Sequence, residues 1–338
     1  MQNPVFLLLD SRQFGGIESH VLELAKGLKQ AGVAVHVVLL QDYATVHPLE
    51  PLLQQQLIHC HKLTSPCSGL ISLIALYRPS LFHTHGYKAG IVGRLLGLLY
   101  QVAVISSFHA GEKPKGKLAI YDFIDRYSAC LAQQRIAISP IIAKRLPFTS
   151  HVVNNFLSHA PTEISQGLQI AFVGRLSREK GADRFVDLAR LFPQYPFHVY
   201  GDGPERAHLQ SMASSNVIFY GQQEMAKIWP KIGILVMPSR YEGLPMAAIE
   251  AMMHGIPVLA YDVGALNKLV HHQVNGYLIP PAQHGQMQMA LGQFLGLPRS
   301  QKQSMQRAAK SQARKNFSAK AILPQIMNLY QQAIQRTP

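Results

Sequence analysis

Cysteine is scarce in this 338-residue chain, which holds only Cys60, Cys67 and Cys130. Three unpatterned thiols make no disulfide framework and suit a reducing compartment. "HCHKLTSPC" (59–67) gathers two His and two Cys, but at a spacing that fits no common zinc pattern. It reads as a polar loop. Long apolar runs are also missing: nothing approaches the roughly 18 consecutive apolar residues of a membrane span. The opening "VFLLLD" is too short for a signal-peptide core and ends in Asp, so it reads as the first strand of a cytoplasmic protein. Acid is the third shortage. Against 32 Lys and Arg stand 18 Asp and Glu, a formal charge of +14.

Part of that excess is concentrated near the C-terminus, where Arg299, Lys302, Arg307, Lys310, Arg314, Lys315 and Lys320 follow one another with no acid between them. Arg307, Lys310 and Arg314 share a helical face. Two readings stay open: a solvated face, or a surface for anionic lipid headgroups or phosphorylated substrates at the cytoplasmic face of the inner membrane. Nucleic acid is not expected as a partner, because no aromatic–basic interleaving or binding motif accompanies the charge.

What the chain does have is core. Hydrophobic residues make up 48% of it, and the length favours two domains. Strand-length apolar runs alternate with amphipathic stretches. "PVFLLL" (4–9), "VAVHVVLL" (33–40), "SLFHTH" (80–85), "AVISSFH" (103–109) and "RIAIS" (135–139) are the first set. After a polar stretch, "SHAPTEISQG" (158–167), the rhythm restarts with "QIAFVG", "FHVYG", "VIFYG", "ILVMPS" and "PVLAY". Such alternation predicts an α/β chain of two doubly wound parallel-sheet domains, 1–158 and 165–318, facing each other across a cleft. Ligands then meet the carboxyl ends of the strands.

Several segments fall at those ends. In "DSRQFGGIES" (10–19), Gly15 and Gly16 allow close backbone approach and the following helix offers N–H groups to an anion; a tight turn without ligand explains the segment equally well. His83, His85 and His109 sit at two successive strand ends. Each alone reads as a structural hydrogen bonder, whereas together they favour a polar ligand nearby. Zinc is not expected, since no carboxylate or Cys completes the set. "FVGRLSREKG" (172–181) carries Gly174, Arg175, Arg178 and Lys180, cations suited to phosphate oxygens or to plain solvent exposure. "VYGDGPER" (199–206), with Gly203, is a G-x-G turn opening a helix.

"SRYEGLPMAAIEAMMHGIPVLA" (239–260) holds two carboxylates in an otherwise nearly uncharged stretch. Pro245 suits a first helical position and Gly255 a stop, so Glu242 lies at the helix mouth and Glu250 more than a turn inside. Their different depths rule out one acid–base dyad. They can instead hold two ends of an elongated ligand by its hydroxyls. Between them, in the stretch from Gly243 through Pro245, the N–H groups around Leu244, Met246 and Ala247 face an anion, helped by the helix dipole. Hydroxyls at both ends with negative charge between describe a nucleotide sugar.

These segments, in this order, resemble the retaining glycosyltransferases of family 4, which have the GT-B fold of two Rossmann-like domains. "GGIESHVLELAKGL", "HTHG", "FVGRLSREKGADRFVDLA", "GDGPER" and "EGLPMAAIEAMMHGIPV" carry the likeness over nearly the whole chain. The resemblance implies a nucleoside-diphosphate sugar donor held mainly by the second domain and a glycan or lipid-linked acceptor on the first. By position, Arg175 and Lys180 would stabilise the departing diphosphate, Glu250 bind ribose, Glu242 bind the transferred sugar, Gly16 contact phosphate, and His109 lie near the reaction centre. It also implies that a final helix (321–338) completes the first domain, and a role in lipopolysaccharide or other surface polysaccharide synthesis. No D-x-D occurs, which agrees with a metal-free mechanism needing no cofactor. One departure stands out: "DVGALNKLV" (262–270) replaces a Gly-Gly and Glu turn, which puts donor contacts from that loop in question. A GT-B protein that only binds, hydrolyses or epimerises nucleotide sugars is the alternative. A nicotinamide dehydrogenase is disfavoured, because the first turn lacks a full G-x-G-x-x-G and Glu242 and Glu250 would go unexplained.

Overall fold

The computed structural model describes all residues except 1–2, 13, 45, 110–115, 160, 282 and 338. It divides into two compact units, Met1–Ser158 with Ala319–Pro338, and His159–Ser318.

The first unit is built on strands β1 (Val5–Leu9), β2 (Val35–Leu39), β3 (His59–Lys62), β4 (Leu81–His85), β5 (Ala103–Phe108), β6 (Gln134–Ala137) and β7 (His151–Val152). They form one sheet in the order β3-β2-β1-β4-β5-β6-β7, and every pair is parallel. Val5–Leu9 and Val35–Leu39 are buried at every position, as expected for strands covered by helices on both faces. The helix Ala319–Gln335 belongs to this unit, and its Tyr330 is wholly buried in the core with Leu7, Leu24 and Ile105.

The second unit has β8 (Gln169–Val173), β9 (Phe197–Tyr200), β10 (Val217–Gly221), β11 (Ile232–Met237), β12 (Val258–Tyr261) and β13 (Gly276–Ile279), ordered β10-β9-β8-β11-β12-β13 and again all parallel. In each unit the strand order reverses beside the first strand, between β1 and β4 and between β8 and β11. That is where doubly wound sheets open a crevice at their carboxyl ends.

Two sequence expectations need correction. "HCHK" is an edge strand, β3, not a loop: its register with β2 pairs His36 with His59 and Val38 with His61. Backbone bonding, not side-chain burial, places it there. On the helix Arg299–Phe317, Lys310 is neither solvated nor available to lipid. It is 7% exposed, and its Nζ donates to the carbonyls of Thr162 and Glu163 at 2.7 and 3.0 Å. Arg307 and Arg314 remain exposed. Among the described residues no helix is long and apolar enough to cross a membrane.

Candidate active site

In the second unit the loop after β8 and the turn after β9 lie backbone on backbone. Leu176 N donates to Asp202 O at 2.9 Å and Glu205 N to Leu176 O at 3.1 Å. A Cβ on Gly203 would stand 2.3 Å from Leu176 O, and one on Gly201 2.0 Å from Gly174 O. Packing between the loops therefore already requires Gly203. Arg175, between these contacts, is exposed.

Past Arg175, a short 3-10 turn at Arg178–Lys180 ends at Gly181, which has a φ of +69°. A Cβ on Gly181 would stand 2.2 Å from Pro238 O, so the turn is seated directly against the end of β11. Arg240 fixes the other side: its backbone N donates to Glu179 O at 2.8 Å and its guanidinium forks onto both oxygens of Asp183. The result is that Lys180 meets Glu242. Lys180 Nζ lies 2.9 and 2.8 Å from the two carboxylate oxygens, and Ser239 Oγ donates to Oε1 at 2.8 Å. The Glu242 side chain is 3% exposed and that of Lys180 32%. Sequence assigned these two residues to different parts of a ligand; the fold joins them as one charge pair.

The loop carrying Glu242 and Gly243 is held from behind by the turn after β12. Gly264 has φ +68°, a Cβ there would stand 2.2 Å from Glu242 O, and Ala265 N donates to Gly243 O at 2.8 Å. The close approach that Gly264 permits is to this loop, so the departure at "DVGALNKLV" leaves the support of Glu242 intact. The helix itself runs Met246–Met253. Pro245 precedes it with extended backbone, as the capping residue instead of the first helical one, and Leu244, Pro245 and Met246 are buried. The first N–H groups of such a helix have no intrahelical acceptor. One turn further in, Glu250 Oε2 accepts from Trp229 Nε1 at 3.2 Å. Trp229 is the chain's single tryptophan and is 3% exposed. A buried indole needs an acceptor, yet no spacing rule linked it to Glu250.

In the first unit, Gly15 and Gly16 open the helix Gly16–Gln30, and both are exposed. The N–H of Gly15 already donates to Glu18 Oε2 at 2.8 Å, a capping box. That corrects the expectation that both glycines serve an anion. Gly16 has open space around its Cβ position. His83 is a structural hydrogen bonder, with Nδ1 2.8 Å from Tyr330 Oη and Nε2 2.7 Å from Ser107 Oγ. His85 Nδ1 and His109 Nε2 are 3.1 Å apart, and His20, which no motif singled out, packs on both rings. The three imidazoles each present a nitrogen within 4.8 Å of the others. The sequence argument against a metal was that nothing completes the set; His20 does complete it, as a three-imidazole donor set of the kind transition metals accept. Burial drives His20 down to about 4 and His83 to about 3, with the charge of His20 adding to the effect on His83. His85 and His109 fall well below their ordinary value for the same reason, with the neighbouring imidazoles contributing. All four are neutral at pH 7. The basic stretch that follows His109, "HAGEKPKGK", lies mostly at 110–115, outside the described residues.

Two family models together match most of the chain: "Glycosyltransferase Family 4" over residues 14–149 and "Glycosyl transferases group 1" over 156–315. The chain belongs to the group 1 glycosyltransferases. Its fold is GT-B, as in Anabaena HepE in complex with UDP and glucose, which superposes with a TM-score of 0.82 at 20% identity over 97% of this chain and 99% of that one. An alpha-D-kanosaminyltransferase of Streptomyces kanamyceticus is 27% identical over 48% of this chain and 45% of its own length. The Escherichia coli UDP-Gal:alpha-D-GlcNAc-diphosphoundecaprenol alpha-1,3-galactosyltransferase is 26% identical over 62% of this chain and 66% of its own. The chain spans about a third to a half of the length of the first curated relatives it matches.

Proposed function

We propose that this group 1 family member transfers a sugar, with retention of anomeric configuration and without a metal, from a nucleoside-diphosphate sugar to a lipid-linked or glycan acceptor. The setting proposed is surface polysaccharide synthesis, lipopolysaccharide included, at the cytoplasmic face of the membrane. The observation that carries the reading is the Lys180–Glu242 pair beside the N-terminus of the Met246–Met253 helix, with Glu250 one turn deeper. A pyrophosphate at that helix mouth meets unsatisfied N–H groups and the positive end of the dipole. Glu250, held by Trp229, takes the ribose hydroxyls, and Glu242 takes hydroxyls of the sugar.

Chemistry then follows from where charge develops. As the bond from the anomeric carbon to the phosphate oxygen breaks, negative charge grows on the diphosphate, and Lys180 and Arg175 are the cations assigned here to stabilise it. The acceptor hydroxyl attacks from the face the leaving group vacates and gives its proton to the departing phosphate, so no enzyme base is needed. His109, being neutral, serves as a hydrogen-bonding group at the sugar. UDP-sugars are the first donors to try, because HepE is seen with UDP and glucose. Support for a lipid-linked acceptor comes from the diphosphoundecaprenol substrate in the name of the Escherichia coli relative.

The test is a panel of nucleotide sugars with and without lipid-linked acceptors, read as nucleoside diphosphate released and as the anomeric configuration of the product by NMR. Release that depends on acceptor, with retained configuration and indifference to EDTA, is expected. Tight donor binding without turnover would replace transfer by binding, and loss of turnover in EDTA would bring the three-imidazole set of His20, His85 and His109 into the mechanism.

A further inference from the structure

The helix Lys117–Tyr127 is built inside out. Its acids are buried: Asp125 pairs with the wholly buried Arg94 at 2.6 Å, and Asp122 with Arg126 and Arg145 at 2.9 and 3.6 Å. Its large apolar residues are turned to solvent, with Leu118, Ile120, Phe123, Ile124 and Tyr127 between 42% and 62% exposed. An ordinary surface helix has the opposite arrangement. Nor is the orientation a loose one. Arg94 also donates to Ser106 Oγ, Ser128 Oγ and the Asp125 carbonyl, so rotating the helix to bury its leucine and isoleucines would strand a buried guanidinium. An apolar face of this extent, fixed outward by a polar one fixed inward, marks a surface that something covers.

Charge indicates what covers it. The described acids of this helix are both internal, whereas Lys113, Lys115 and Lys117 precede the apolar run in sequence against the single Glu112. Lys144 is exposed on the neighbouring segment, whose Arg145 binds Asp122. The rings of Phe123 and Tyr127 pack together, tilted by 36° with centres 4.4 Å apart; tyrosine is enriched at the headgroup level of membranes. Tyr121 of the same helix walls a cavity of about 220 Å³ lined by Leu40, Pro66, Ile91 and Val92 and by the Lys88–Asp10 ion pair. We propose that the Lys117–Tyr127 helix is an interfacial membrane-binding element, lying with its apolar face in the headgroup region of an anionic bilayer. This binding is independent of the transfer chemistry and is read without it.

The experiment is flotation of the full chain with vesicles of phosphatidylcholine alone or mixed with phosphatidylglycerol, at low and high salt. Binding is expected to favour the anionic vesicles, to weaken with salt, and to fall by about tenfold or more in the double variant Phe123→Ser with Ile124→Ser, with an unchanged unfolding midpoint. A Phe123→Trp variant supplies a second readout, since the native Trp229 is buried: its emission is expected to shift to the blue only with anionic vesicles. No binding, binding that the double variant retains, binding abolished instead by Arg307→Glu with Arg314→Glu, or an unshifted Phe123→Trp emission would each overturn the proposal. So would a dimer in sedimentation that the double variant dissolves, which would assign the face to a second copy.

Discussion

Lys180→Ala tests the site where burial and chemistry make separable demands. In the folded chain both oxygens of Glu242 lie within 2.9 Å of Lys180 Nζ, and the Glu242 side chain is 3% exposed. Deleting the ammonium leaves a buried carboxylate that, among the described side chains, keeps the Ser239 hydroxyl as a donor. Removing one partner of a fully buried pair costs about 3–5 kcal/mol. Lys180 is 32% exposed, so water screens the pair and about 2 kcal/mol is the expected loss. The reverse change, Glu242→Ala, should cost only about 1 kcal/mol, because a lysine stem can swing its charge into solvent whereas the glutamate cannot. On activity the two should agree: with the roles proposed above, each change removes a group acting on the departing diphosphate or the transferred sugar, for an expected loss of about a hundredfold or more in turnover, or about 2.7 kcal/mol of barrier. Trp229 lies in the same unit and is the only tryptophan, so its fluorescence follows unfolding of this unit in urea, while nucleoside diphosphate release follows catalysis at a temperature where both variants are folded. Wild-type turnover in Lys180→Ala would refute the leaving-group role. Glu242→Ala proving less stable than Lys180→Ala would refute the burial reasoning.

Three further outcomes are expected. Glu250→Ala should weaken donor affinity by about ten- to a hundredfold, through lost hydrogen bonds to ribose, with kcat nearly unchanged; a fall confined to kcat would contradict a binding role. Gly264→Ala, which must place a Cβ 2.2 Å from Glu242 O at φ +68°, should destabilise the second unit by about 2 kcal/mol or more and lower turnover with it, and an unaffected protein would show that the turn does not hold the Glu242 loop. The first unit should lose stability on acidification. His20 and His36 are depressed to about 4 and His83 to about 3, so between those values and about 6.5 the unfolded chain binds protons that the folded chain refuses. Stability is therefore full above about pH 6.5 and falls as pH drops, by about 1–2 kcal/mol per histidine at pH 5. Denaturant midpoints by circular dichroism that are the same at pH 7 and pH 5 would refute this.

The fold was legible where burial dictated sequence. Val5–Leu9 and Ile232–Met237 are buried at every position, and each reads as a strand at sight. His59–Lys62 did not, because an edge strand with two exposed and two half-buried side chains has no hydrophobic pattern to show. The carboxylates of the site were visible by spacing, since one helix carries Glu250 and its mouth carries Glu242. What spacing could not show is who meets them. Lys180 reaches Glu242 across 62 residues and Trp229 reaches Glu250 across 21. His20 joins His85 and His109 because a helix and two strand ends converge in space, and nothing local to "IESHVLE" encodes that. Gly264 in "DVGALNKLV" permits a close approach, but what approaches is the protein's own backbone at Glu242.

The two units differ in how they handle charge, and the difference bears on the reaction. Around His20, His85 and His109 burial keeps three imidazoles neutral, so this cluster offers directional hydrogen bonds without a field that would draw a diphosphate toward it. Around Lys180 the arrangement is the opposite, a lysine ammonium group 2.8 Å from a buried carboxylate. A leaving group that gains negative charge is stabilised only by the second arrangement, and a neutral acceptor or sugar hydroxyl is oriented without cost by the first. If the pair with Glu242 also holds the ammonium in place before donor arrives, then the positive group is positioned ahead of the reaction instead of being ordered during it, which is the condition under which such a charge lowers a barrier most.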